Sequence, residues 1–130
     1  MKIAIINLLL VATVLSFAGC SATSDLSSPV AYQQGTKDGK EELKKGVLAV
    51  ESFGLLAPWT PIYIKILKKR YGVEERIVSG CSVDSDIIGH ADGFNTVMKR
   101  AITEKYGKDV FAEAVTKARS EYNKKKQNKP

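Results

Sequence analysis

Between Ser85 and Tyr122 apolar side chains recur at helical spacing almost without interruption, and this run commits the chain to a largely helical body. Ile87, Ile88, Ala91, Phe94, Val97, Met98, Ala101, Ile102 and Tyr106 fall on one face, and Gly107 supplies a C-terminal stop. From Asp109 to Tyr122 the pattern resumes, with Val110, Phe111, Ala114, Val115, Ala118 and Tyr122 directed inward. The tight turn between the two segments predicts an antiparallel helical hairpin that supplies most of the core. The expected fold is therefore mainly α, with at most one or two short strands.

Earlier segments are shorter and less regular. From Lys37 to Phe53, Leu43, Val47 and Val50 sit at helical spacing opposite Lys40, Glu41, Glu42, Lys44 and Lys45, which predicts an amphipathic helix. Gly35 and Gly39 have the small-x-x-x-small spacing of close helix contacts, but their neighbours are too polar for a lipid-facing helix, so they read as a frayed helix start. Thr60-Pro61 predicts a helix start capped by the threonine hydroxyl. Ile62, Tyr63, Ile66, Leu67 and Tyr71 form its apolar stripe, Lys65, Lys68, Lys69 and Arg70 its wet side, and Gly72 its end. Residues Val73 to Val83, rich in Val and Ile, predict a buried strand. A strand needs a partner, and the candidates are a segment near Leu55 or Ile64, or the same strand in a second copy.

At the N-terminus, Lys2 precedes an apolar run from Ile3 to Phe17 that is too short to span a bilayer comfortably and ends in Ala18-Gly19-Cys20. This segment resembles the lipobox of bacterial lipoprotein precursors, with Phe17 where an aliphatic residue is usual. The resemblance implies cleavage between Gly19 and Cys20, a diacylglyceryl thioether on Cys20, and acylation of the new amino group. Each buried methylene of such an anchor contributes about 0.8 kcal/mol, and two or three chains hold a protein permanently at the membrane. Ser21 after the cysteine favours, on the same resemblance, the periplasmic face of the outer membrane over the inner membrane. The competing expectation is a plain secreted protein cut after Ala18 or Gly19.

From Ser21 to Pro29 the residues are small and polar, which predicts a tether. The expected organisation is a signal peptide over 1–19, a lipidated Cys20 with tether over 20–35, one small helical domain over 36–122, and a basic tail over 123–130. From Cys20 onward 111 residues remain, enough for one domain. They carry 19 Lys and Arg against 14 Asp and Glu. Such a balance commonly indicates nucleic acid. For a lipid-tethered protein outside the cytoplasm, anionic lipid, lipopolysaccharide or a wall polymer takes that place, and no nucleic acid is expected.

Catalytic groups are sparse. With Cys20 acylated, Cys81 is the remaining thiol of two cysteines, so the mature monomer has no internal disulfide. The apolar, β-branched surroundings of Cys81 predict burial. Asp84, Asp86, His90 and Asp92 cluster near it at the start of the long helix, where Asp86 and His90 lie one turn apart. They offer a weak case for a metal site or a Cys81–His90 pair, weighed against ordinary helix-start acids and a solvated histidine. No cofactor, metal site or catalytic residue is expected. Trp59, in the apolar loop Leu55–Trp59, and Lys124, Lys125 and Lys126 of the tail are the candidate partner contacts. The sequence thus points to a non-enzymatic envelope lipoprotein binding a protein or an anionic polymer, with a thiol-dependent enzyme or redox protein using Cys81 and His90 as the alternative.

Overall fold

The computed structural model describes residues 27–128. The signal segment, Gly19, Cys20 and the tether up to Leu26 lie outside the described residues. Over the described residues the fold is mainly helical, with four helices, two short strands and a C-terminal helical hairpin.

Helix α1 spans Pro29–Lys44, with Ser28 accepting from the Ala31 N–H at 3.4 Å and Pro29 in the first turn. This corrects two expectations. The helix placed over Lys37–Phe53 starts at Pro29 instead, so the second half of the expected tether is helical. It also stops before Gly46, whose positive φ of 77° turns the chain into strand β1, Leu48–Phe53. The helical spacing of Val47 and Val50 was coincidental: tertiary pairing decides that segment.

Helix α2, Thr60–Ile66, continues as a wider π turn over Leu67–Tyr71 and ends at Gly72, φ 62°. Thr60 is its first helical residue rather than its cap: Trp59 occupies the cap position and makes no side-chain capping bond. Strand β2, Val73–Ser79, pairs with β1 in parallel, from Leu48 opposite Val73 to Ser52 opposite Ile77. The partner is therefore the segment just before Leu55, not one near Ile64 and not a second copy. Parallel pairing needs a crossover, and α2 provides it. The ladder becomes irregular between Ser52 and Phe53, and from its last regular rung onward Ile77, Val78 and Cys81 are exposed, against the expectation of a buried strand and a buried thiol.

Helix α3, Ser85–Tyr106, and helix α4, Val110–Gln127, follow the sequence pattern closely. The Asp84 carboxylate accepts from the Ile87 N–H at 2.9 Å and that of Asp109 from the Phe111 N–H at 3.0 Å, while Gly107 (φ 65°) ends α3. Because α4 runs to Gln127, Lys124 to Lys126 sit on a helix rather than in a tail. The hairpin contributes Phe94, Met98, Ile102, Val110, Ala114 and Ala118, half of the twelve clustered core residues rather than most. The other half comes from the strands and α2, namely Ala49, Val50, Ile66, Leu67, Tyr71 and Val73.

The main partner of α3 is α1, not α4. Gly35 and Gly39 of α1 and Gly89 and Gly93 of α3 let the two backbones meet. A Cβ on Gly35 would strike the His90 carbonyl, and one on Gly93 the Tyr32 carbonyl. These glycines are buried at a crossing. Gly35 and Gly39 are therefore not a frayed start: small residues in the middle of two polar helices serve a tight soluble contact as they do in membranes.

Candidate functional site

Each face of the body carries its own set of charges. On the first, α1, β1 and α3 bring Asp38, Glu51 and His90 together. His90 Nδ1 lies 2.8 Å from Glu51 Oε2 and Nε2 lies 3.1 Å from Asp38 Oδ2. Both ring nitrogens can donate at once only in the imidazolium. Partial burial opposes that charge, but the hydrogen bonds to Asp38 and Glu51 outweigh it and raise the His90 pKa above its usual value. The ring also stacks on Phe94, centroids 6.2 Å apart, and the Arg76 guanidinium lies 5.8 Å from the centre of the Phe94 ring. Arg76 in turn binds Glu42 at 2.9 Å, and this guanidinium, with Lys45, holds the Glu42 carboxyl below the ordinary range. The result is an open groove of about 290 Å³ whose cations and carboxylates largely satisfy one another.

Asn95 completes this face. Its side chain accepts from the Glu51 N–H at 2.8 Å and donates to the Glu51 carbonyl at 2.7 Å, standing in for a further strand along β1.

On the second face, α4 lies across α2. Their groove, about 230 Å³, is lined by Lys65, Lys69, Arg70, Lys117 and Lys125 with one carboxylate, Glu121, over an apolar floor of Ile62 and Ile66. Arg70 is tied to Glu113 at 3.1 Å. Lys65, Lys69, Lys117 and Lys125 form no ion pair within 4.0 Å among the described residues. Chemically this is a cationic slot for an extended anion, with room for an apolar edge.

The candidates named from sequence separate accordingly. Cys20 and Gly19 lie outside the described residues. Trp59 packs against the core, edge-on to Tyr63 at 6.0 Å, with the Arg119 guanidinium 5.1 Å from its ring centre. The exposed residues of its loop are Leu55, Leu56 and Pro58. Lys124, Lys125 and Lys126 are exposed on the last turns of α4, and of these Lys125 lines the slot. Cys81 is exposed and makes no hydrogen bond with His90 among the described residues, since the imidazole is held by Asp38 and Glu51. Asp84 caps α3, and Asp86 and Asp92 are exposed.

Lys65, Lys69, Arg70 and Lys117 were legible only as helix surface, since nothing local shows that α4 covers α2. For Asp38 and Glu51 there was no signal, since they lie 52 and 39 residues from His90. Among the described residues no group of three His, Cys, Asp or Glu side chains is placed to hold a metal ion, and no helix is long and apolar enough to cross a membrane. No family model, curated protein or solved structure matches the chain.

Proposed function

We propose that this protein is a lipid-anchored bacterial envelope protein, held by Cys20 at the periplasmic face of the outer membrane, that acts as a non-enzymatic binding module for an anionic envelope polymer. The observation that carries the binding half is the slot between α2 and α4, where five basic side chains face one carboxylate. The anchoring half rests on Ala18-Gly19-Cys20 after the apolar run. An extended anion laid along the slot meets cations at successive helix turns and gains a favourable interaction that salt weakens.

Exposure of Cys81 favours the thiol-enzyme reading, but that reading uses His90 as the base that activates the thiol. His90 offers no free base while both nitrogens are engaged, so the binding module is preferred. The test pairs Lys69→Glu with Lys117→Glu in the full-length chain and measures retention on immobilised lipopolysaccharide and on purified cell wall. Salt-sensitive retention lost in the double variant supports the reading, and retention that ignores these charges overturns it. Detergent-phase partitioning that disappears in Cys20→Ser tests the anchor separately.

A further inference from the structure

The helix directions gather several features at one end of the molecule. Strands β1 and β2 are parallel, α1 leads into β1 through a short turn, and α3 leaves β2 through residues 80–84. Helices α1 and α3 also run side by side in the same direction, since Gly89 meets Ser28, Gly35 meets His90 and Gly39 meets Val97. The Ser28 N–H donates to the Ser85 carbonyl at 2.9 Å, tying the two helix starts together. The starts of α1 and α3 and the ends of both strands therefore share one end. Helix α4 runs antiparallel to α2, because Arg70 pairs with Glu113 at one extremity and Arg119 covers Trp59 near the other. Its last turns, with Lys124 to Lys126, continue past Trp59 to that same end.

Every large apolar side chain that the described residues leave exposed belongs to an element starting or finishing there: Val30 (78% exposed) and Tyr32 in the first turn of α1, Phe53, Ile77 and Val78 at the strand ends, and Leu55 (87%) and Leu56 in the loop that follows. Lys124 and Lys126, in the last turn of α4, lie toward this end beside Lys125 of the slot. Of the acids nearby, Asp84 caps α3, Asp86 lies in its first turn, and exposed Asp92 lies beside Tyr32. Cys20 stands seven residues before Ser27, and an extended chain covers at most about 3.6 Å per residue, so the anchor lies within about 25 Å of this end.

We infer that this end docks on the lipid bilayer, with Leu55, Leu56 and Ile77 entering the headgroup boundary and Lys124 and Lys126 meeting anionic headgroups. The inference rests on the anchoring half of the proposed function. Acyl chains would bring the end to the surface, and the apolar side chains would then orient the body, holding the slot between α2 and α4 to the side.

Cys81 sits at this end as a native reporter. In acylated protein reconstituted into vesicles of phosphatidylethanolamine and phosphatidylglycerol, a bimane label attached to Cys81 should be quenched by brominated acyl chains. A label at the far end, on Lys108→Cys in a Cys81→Ser background, should not be. Leu55→Asp, at an exposed position the fold does not need, should relieve the quenching at Cys81 and, in the unacylated Cys20→Ser chain, weaken vesicle binding about tenfold or more. Equal quenching at the two ends, none at Cys81, or quenching indifferent to Leu55→Asp overturns the inference. The labelled mass separates the two failures. One label per chain shows Cys20 acylated, so an unquenched Cys81 then counts against docking alone. Two labels show the anchor to be absent, and flotation of the Cys20→Ser chain then decides docking without it. Vesicle-free dimerisation abolished by Leu55→Asp would assign the surface to a second copy and overturn the bilayer as its occupant.

Discussion

The α1–α3 face and the α2–α4 face carry similar numbers of ionisable side chains but use them in opposite ways. On the first, His90 is clamped by Asp38 and Glu51, Arg76 by Glu42, and β1 by Asn95, so most of the charged and polar groups are spent inside the protein. On the second, lysines line a slot that holds one acid. The difference teaches that a cluster of ionisable residues is not by itself the better site. Mutual satisfaction marks the first face as a structural joint, and unbalanced charge marks the second as the surface with capacity left for a ligand.

The comparison can be broken by substitution. Gly35→Ala and Gly93→Ala should have the largest effect, each lowering stability by about 2–3 kcal/mol in urea unfolding, because the added methyl meets backbone that cannot move aside. Wild-type stability in either variant would show that the two helices are not in contact there. Asn95→Ala should follow, costing about 1–3 kcal/mol, since it strips both partners from the Glu51 backbone.

Next comes the pH dependence of the His90 clamp. The native pKa is raised above its unfolded value, so the contribution is whole below about pH 6.5 and fades as pH climbs through the higher native value. Stability should therefore fall as pH rises across this range. His90→Gln should flatten that slope, with a loss of roughly 0.5–1 kcal/mol at pH 6, as for other half-exposed ion pairs. A slope unchanged in His90→Gln would sink the clamp.

The smallest effect on stability should come from the other face. Lys69→Glu and Lys117→Glu are expected to stay within about 0.5 kcal/mol of wild type in thermal melts, while changing retention on an anionic polymer. A large loss of stability there would mean the slot is a joint after all.

Much of this architecture could be read before any coordinates. Asp84 and Gly107 bracket α3, Asp109 opens α4, Gly72 closes α2, and the Val and Ile of residues 73–78 mark β2. A sharper reading was available at Gly89 and Gly93, which repeat the spacing of Gly35 and Gly39, and at Ser28-Pro29, a capped helix start. The partner of β2, the π turn before Gly72 and the exposure of Cys81 had no comparable local mark.

The sequence by itself determined where most helices begin and end, and which faces they bury, because caps, glycine stops and apolar periodicity act within one or two turns of chain. Only the tertiary structure decided that residues 48–53 form a strand, that four glycines make a helix crossing, and that His90 answers to Asp38 and Glu51. Those outcomes depend on segments far apart in the chain, whose meeting is set by how the helices and strands pack rather than by any one element's own residues.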